Sequence, residues 1–356
     1  MTRLRAATIA SLLCSTTAVY ADVPSVVTDF GPTQGIVARV MEGVGTPTAL
    51  LTGADTPHDF ALRPSHARLL SDANLVVWVG HAMSPWLEEP LENLATNAQN
   101  VELLETEGWT LLANRDDHDD HDDHDDHDDH DDHDDHDDHD DHDDAEDADH
   151  EEEHDDHDHD EEHDDDHGDD HDDHGEEHAE HDDHHGHDHG PNDPHAWLDP
   201  DIAAVWAVTI ADKLAEIDPD NGPAYAANAA AFAEEIAALN AEIEQTLEQV
   251  APDTRLLSHD NMQYYEVRYG FVPAGYIAQS DAAEPGAARV RDIRDQVAAG
   301  EITCILSDIE TNPGTLSMLL DGTEIGTAML DATDSAGAGY VGMMRSITDA
   351  LAGCAP

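Results

Sequence analysis

Histidine, whose ring nitrogens bind transition metals, is abundant in this sequence and occurs in two settings. Of the 28 histidines, 23 lie among 45 acidic residues between positions 116 and 190, a stretch without lysine or arginine. The other five are isolated along the rest of the chain: His58, His66, His81, His195 and His259. Imidazole suits borderline metals such as zinc, copper and nickel, so both settings point to metal binding.

The dense setting, which we name the acidic histidine tract (116–190), opens with nine consecutive Asp-Asp-His triplets. It holds no apolar residue larger than alanine, so it cannot bury a core and is predicted to be a disordered loop. Its imidazoles predict weak, multivalent metal gathering; a solvated spacer is the alternative. The histidines predicted to bind metal weakly in this way include six near the two ends of the tract: His118, His121, His124, His185, His187 and His189.

Three of the isolated histidines occur in similar short motifs. His58 lies in TPHDF, His195 in DPHAWLDP and His259 in LSHD, each beside a predicted helix start. One such histidine is most simply an ordinary polar residue, but the three together predict a metal held between two lobes. His81 follows a predicted strand and is a candidate accessory ligand, whereas His66 is interpreted as a helical surface residue.

The elements that position these side chains follow from hydrophobic patterning. Helical segments, among them 35–42 and 64–70, separate short apolar runs. The runs predict strands at 23–27, 49–51, 75–79, 101–104, 255–257, 271–272, 302–306 and 328–330. This alternation indicates parallel pairing, so we predict an α/β fold of two helix-flanked parallel-sheet lobes with ligands at the carboxyl ends of strands.

Two helices lie between the two sets of strands. The dipeptide Asp199-Pro200 supplies a capping carboxylate and a first-turn proline, so a helix is predicted to begin there. A second helix, at 223–250, carries one continuous apolar stripe and is expected to join the lobes as a long rigid strut. The predicted domains are a signal peptide at 1–21, an N-terminal lobe at 22–115, the tract at 116–190, the rest of the N-terminal lobe at 191–222, the linking helix at 223–250 and a C-terminal lobe at 251–356.

The first residues predict export. A basic start is followed by a mildly apolar run that ends in VYA at 19–21, a small-residue cleavage motif, and no later segment is expected to span a membrane. Lipidation of Cys14 is the disfavoured alternative, because a leucine precedes it. Cleavage leaves Cys304 and Cys354, which in an oxidising compartment suggest one disulfide; two buried thiols are the alternative.

The charge balance restricts the partners. The chain has 13 basic and 84 acidic side chains. That excess excludes nucleic acid and anionic membrane surfaces, which carry the same sign, and favours cations.

Several motifs together resemble a known family. They are PHDF with LRPS at 57–65, ANLVVWVG at 73–80, DPHAWLDP at 193–200, and HD at 259–260 followed by YYE. With them the chain resembles the cluster A-I solute-binding proteins of ABC metal importers, in the ZnuA zinc-uptake branch. An acidic histidine-rich insertion before the second ligand is typical of that branch, as is a disulfide at Cys304 and Cys354.

The resemblance implies a ligand set and a function. The ligands would be His58, His195 and His259, with Asp331 as the fourth and Asp334 as its alternative; Pro57 stands where some zinc binders have glutamate. Manganese relatives carry a carboxylate at the position of His259, and three imidazoles fit Zn2+ better than manganese. The implied protein is not an enzyme but a monomeric, periplasmic component that delivers zinc to an inner-membrane permease with a cytoplasmic ATPase.

Three other functions compete with this one. A manganese or iron importer component is the nearest alternative within the family, and a periplasmic metal buffer is the next. A zinc hydrolase using the same three histidines is disfavoured, because the sequence offers no clear general base besides Asp331.

Overall fold

The computed structural model describes residues 23–53, 55–58, 60–115, 191–278 and 284–354. Two predicted segments lie outside the described residues: the signal peptide at 1–21 and the acidic histidine tract. The predicted gathering histidines lie outside them too: His118, His121, His124, His185, His187 and His189. In the described part of the chain, no helix combines the length and apolarity that crossing a membrane requires.

The first half of the chain forms a parallel sheet in the order β2-β1-β3-β4. Its strands are β1 (Val26–Thr28), β2 (Thr48–Ala49), β3 (Leu75–Trp78) and β4 (Gln99–Glu102). The helices between them are α1 (Gly31–Val40), α2 (Pro64–Ser71) and α3 (Pro85–Leu94). Every residue of β1 and β3 is buried, as expected for central strands covered by helices on both faces.

Two helices follow the tract. Helix α4 (Pro200–Ile217) begins as predicted, because the Asp199 carboxylate accepts the backbone N–H of Asp201 at 2.9 Å. Helix α5 (Gly222–Leu247) spans 26 residues, close to the predicted 223–250.

The second half repeats the arrangement in the order β6-β5-β7-β8, again all parallel. Its strands are β5 (Arg255–Leu257), β6 (Gly275–Tyr276), β7 (Cys304–Ser307) and β8 (Gly326–Met329). Its helices are α6 (Gln263–Tyr269), α7 (Ala287–Ala299), α8 (Pro313–Leu320) and α9 (Tyr340–Gly353). Two parallel-sheet lobes flanked by helices are therefore present, which confirms the predicted fold class.

The two lobes share a hydrophobic core. Helix α5 contacts α1 and α4 of the first half and α6 and α9 of the second, and α9 also contacts α1. Phe232 of α5 packs edge-on against Tyr340 of α9, with ring centroids 5.8 Å apart. The Cys304–Cys354 disulfide joins β7 to the residue after α9, with Cα atoms 5.8 Å apart. The predicted disulfide is confirmed.

Two local features differ from the sequence prediction. The strand expected at 271–272 is wrong: that segment is a loop whose Phe271 is buried in the core, and the strand beside β5 begins at Gly275. The apolar character of residues 271–272 predicted a strand, but a strand is defined by regular backbone pairing with its neighbour, which here begins at Gly275. Helix α3 is absent from the sequence prediction, because Pro85 and Pro90 are residues that normally disfavour a helix interior.

Candidate metal site

His58 lies in the irregular segment after β2 and is 5% exposed. The preceding residue anchors it: the indole Nε1 of Trp86, in α3, donates to the carbonyl of Pro57 at 2.7 Å. The helix that the sequence analysis missed therefore helps to position the first predicted ligand.

His195 lies just before a 3₁₀ turn at Ala196–Leu198 that leads into α4. The Asp193 carboxylate accepts two hydrogen bonds from it, from the backbone N–H at 2.8 Å and from ring Nδ1 at 2.7 Å. Because a carboxylate only accepts, Nδ1 carries the proton and Nε2 keeps the lone pair that a metal needs.

Trp197, two residues after His195, packs between the two lobes. Its ring lies 5.2 Å from the His195 ring and 5.0 Å from Phe30, which follows β1. Its Nε1 donates to the carbonyl of Ala332 in the second lobe at 2.9 Å. The second predicted ligand thus stands on a buried support that both lobes share.

His259 follows β5 in the second lobe, and a carboxylate orients its ring as well. Nδ1 of His259 lies 3.0 Å from Oδ2 of Asp308, which follows β7. Burial raises the pKa of Asp308, but hydrogen bonds from His259, Ser258 and Thr311 and the charge of His259 outweigh burial, so the pKa is held well below its usual range. Asp308 therefore remains a carboxylate that accepts from Nδ1.

The structure brings the three predicted histidines together. Ring centroids of His58 and His195 are 5.8 Å apart, and those of His195 and His259 are 6.2 Å apart. Two imidazoles that share a tetrahedral zinc ion, with Zn–N distances of about 2.0 Å, have centroids about 5 Å apart. The observed separations exceed that value by about 1 Å, a gap that small ring movements would close.

Glu310, which the sequence analysis missed, lies beside His259. Donor atoms of His259, Asp308 and Glu310 all lie within 4.8 Å of one another, and His259 Nε2 is 4.0 Å from Oε2 of Glu310. A cavity of about 40 Å³ adjoins these residues, enough for an ion and a water but far below the volume of an organic-substrate pocket. The signal was available, because Glu310 follows a predicted strand as His259 does.

Asp331, the predicted fourth ligand, lies in the loop after β8. Its carboxylate accepts from the side chains of Thr333 and Ser335 and from backbone N–H groups of Thr333, Ser335 and Ala336. Burial raises its pKa, but these bonds outweigh burial and hold the pKa below the usual range. The alternative, Asp334, accepts backbone N–H groups of Ala338 and Gly339. Both carboxylates therefore accept hydrogen bonds from residues of their own loop.

His81 and His66 have other partners. His81 is exposed at the carboxyl end of β3, where its Nδ1 lies 2.7 Å from Glu88 of α3 and its backbone N–H donates to Glu102 at 2.9 Å. His66 caps α2: its Nδ1 accepts the backbone N–H of Arg63 at 3.2 Å, and its ring lies 5.2 Å from the ring of Phe60 at a tilt of 33°. His81 as an accessory ligand stays a prediction.

The residues that flank the tract on either side contact each other close to His195 in the chain. Ala113 and Asn192 form an antiparallel bridge, and Asn114 donates to the carbonyl of Pro191 at 3.0 Å. Arg115 then reaches the second lobe, where its guanidinium pairs with Glu266 and, at 3.1 Å, with Asp260, the neighbour of His259. We name this arrangement the tract root; it directly precedes the DPHAW segment.

Comparisons with known proteins identify relatives over almost the whole chain. The family model for the periplasmic zinc-uptake complex component A, ZnuA, matches residues 26–354. High-affinity zinc uptake system protein ZnuA of Paracoccus denitrificans is 39% identical over 340 residues, covering 94% of this chain and 92% of that one. Its counterpart in Brucella abortus is 34% identical over 335 residues, covering 93% and 91%.

Solved structures share the fold. A crystal structure of ZnuA aligns with a TM-score of 0.66 at 18% identity, covering 94% of this chain and all of that one. AdcAII of Streptococcus pneumoniae aligns with a TM-score of 0.63 at 20% identity, covering 93% and 98%. At such identities the likeness concerns the fold alone.

Proposed function

The chain belongs to the ZnuA family of periplasmic zinc-uptake components, and on this premise we propose that it captures zinc with His58, His195 and His259 and passes it to an ABC-type permease in the inner membrane. Membership confirms the family resemblance carried by the sequence motifs and identifies the chain as a transport component, not an enzyme. Its location is periplasmic; export through a signal peptide at 1–21 remains part of the proposal.

One observation carries the assignment of the ligands. His195 from the first lobe and His259 from the second each have Nδ1 on a buried carboxylate, and their centroids are 6.2 Å apart. A carboxylate–histidine pair of this kind leaves Nε2 as the donor and makes the imidazole a stronger ligand. Two such pairs from opposite lobes support a single ion between them.

The donor set favours zinc over the nearest alternatives. Three imidazoles suit a tetrahedral zinc ion, whereas manganese favours more oxygen donors. A simple metal buffer would not need one ordered interlobe site in addition to a tract of weak donors. The ligands also come from one chain, so a second copy is not required and a monomer is the expected state.

The acidic histidine tract is proposed to gather zinc for this site. Its carboxylates concentrate cations, and its imidazoles bind zinc weakly and at many positions. The tract root joins the residues that flank the tract next to the segment that carries His195, which supports a role for the tract in delivering zinc.

Calorimetric titration with zinc and with manganese tests the assignment. The metal-free protein is expected to bind one zinc ion tightly and further ions weakly. A variant without 116–190 should keep the tight site and lose the weak ones, and His195→Ala should do the reverse. His66→Ala is the matched control and should behave like the unaltered protein. The ligand assignment fails if His195→Ala keeps the tight site, and zinc selectivity fails if manganese binds as tightly.

A further inference from the structure

The position of Glu310 follows from the topology of the second sheet. In the order β6-β5-β7-β8, the chain continues from β5 to β6 on one side and then crosses to β7 on the other side of β5. Open α/β sheets bind ligands in the crevice at such a switch in strand order, here between β5 and β7. His259 follows β5, and Asp308 and Glu310 follow β7. These three side chains therefore border the crevice where a ligand of this lobe is expected.

The two carboxylates of the crevice have different surroundings. The Asp308 carboxylate faces Nδ1 of His259 and also accepts from Ser258 Oγ, from both the N–H and the hydroxyl of Thr311, and from the N–H of Glu310. The Asp308 carboxylate oxygens are thus already hydrogen-bonded, and one of them orients the ring of His259. Glu310 instead lies on the Nε2 side, where the metal would bind.

The distance between Glu310 and His259 suits two ligands of one ion. Oε2 lies 4.0 Å from Nε2, which is too far for a hydrogen bond. Tetrahedral zinc with bonds of about 2.0 Å holds neighbouring donors about 3.3 Å apart. A side-chain shift of under about 1 Å would therefore bring Glu310 into coordination.

Asp331 is placed less favourably. It follows β8, which pairs with β7 and is thus two strands from β5; at about 4.8 Å per strand this is about 10 Å across the sheet. Its carboxylate would also have to leave the hydrogen bonds from Thr333, Ser335 and Ala336. Coordination by Asp331 requires a rearranged loop, whereas Oε2 of Glu310 already lies 4.0 Å from Nε2 of His259.

Thr56 links Glu310 to the first lobe. Its hydroxyl contacts Oε1 of Glu310 and also accepts the backbone N–H of His58 at 3.4 Å. The same hydroxyl therefore touches a carboxylate of the second lobe and the segment that carries the first histidine ligand. Thr56 is placed to orient Glu310 across the cleft.

We propose that Glu310, not Asp331, is the fourth zinc ligand, completing a set of three histidines and one carboxylate, and that Thr56 is its positioning residue. This inference rests on the proposed function, because it assumes that the three histidines bind the ion.

Variants of the full-length protein test the proposal in competition with a chromophoric zinc chelator. Glu310→Gln is expected to lower zinc affinity by more than about 100-fold, beyond the usual effect of about 10–100-fold for residues outside the ligand shell. Thr56→Val should fall within that lower range. Asp331→Asn should change affinity by less than about 3-fold, because its carboxylate serves its own loop.

Cobalt(II) loading gives a second readout, since its visible absorption depends on the donor atoms bound to it. Glu310→Gln should alter the spectrum, whereas Asp331→Asn and Thr56→Val should retain it. Affinity and spectrum that are unchanged in Glu310→Gln would overturn the proposal, whether or not Asp331→Asn is impaired. His195→Ala separates the two levels: if it keeps tight binding, the proposed function fails, and if only Glu310→Gln keeps it, the fourth ligand alone is wrong.

Discussion

Replacing Asp193 by asparagine changes one atom of the side chain that orients His195. The Asp193 carboxylate is 3% exposed and accepts both the backbone N–H and Nδ1–H of His195. Asparagine keeps an acceptor oxygen of similar size but removes the negative charge. The imidazole then becomes a weaker donor to zinc, because hydrogen bonds to a charged acceptor are about twice as strong as neutral ones.

The expected loss follows from that role. Changes to partners of metal-bound histidines lower affinity about 10–100-fold, which corresponds to about 1.4–2.7 kcal/mol of binding free energy. The assay is competition with a zinc chelator that outcompetes the weak donors of the tract. Asp212→Asn, on the exposed face of α4, makes the same charge change away from the site and is the control.

Two outcomes separate orientation from other causes. Equal zinc affinities for the Asp193→Asn and Asp212→Asn variants would refute the reasoning, because net charge would then be all that matters. A loss of affinity accompanied by a much lower urea midpoint in the metal-free Asp193→Asn variant would mean that the substitution damages the fold instead. The expected result is weaker binding with a midpoint close to that of the unaltered protein.

Three further predictions concern stability, each measured by urea unfolding of the metal-free protein. Replacing Cys304 and Cys354 by alanine opens a cross-link between residues 50 apart and should cost about 4 kcal/mol; reductant that leaves the unaltered protein's midpoint unchanged would contradict this. Trp197→Phe removes the donor to the buried carbonyl of Ala332 and should cost about 1–3 kcal/mol, so a change within experimental error would contradict it. Burial raises the pKa of Asp29 to about 6 from 3.8, so the unfolded chain ionises from about pH 4 upward while the folded protein does not until about pH 6. The free energy of unfolding of Asp29→Asn, relative to that of the unaltered protein, should therefore rise by up to about 3 kcal/mol from pH 4 to pH 7, and a pH-independent difference would refute it.

The sequence predicted the features that local patterns carry. The start of α4 follows from the adjacent Asp199 and Pro200, and the alternation of apolar runs with helical segments predicted both sheets. His58, His195 and His259 were singled out because each stands in a short motif beside a helix start. Their joint role depended on family resemblance, since no local pattern says which distant loops meet.

Contacts between distant strands were beyond the sequence. Asp308 reaches His259 only because β5 and β7 are neighbours, although almost 50 residues separate them along the chain. The same pairing brings Glu310 to the crevice, whereas the family resemblance implied Asp331. The strand expected at 271–272 failed for a related reason, because apolar burial does not reveal which residues enter a ladder.

The tract root has a consequence for how this chain can vary. The backbone bonds between 112–114 and 191–193 fix the two ends of the insertion against each other, so the register of His195 does not depend on how many residues lie between them. For a connection that is disordered, as the composition of the tract predicts, each doubling of length costs only about 0.6 kcal/mol. Whole Asp-Asp-His units can therefore be gained or lost by descendants of this sequence at almost no energetic penalty. The proposed capacity of the tract to gather metal can therefore change without altering the geometry proposed to capture zinc.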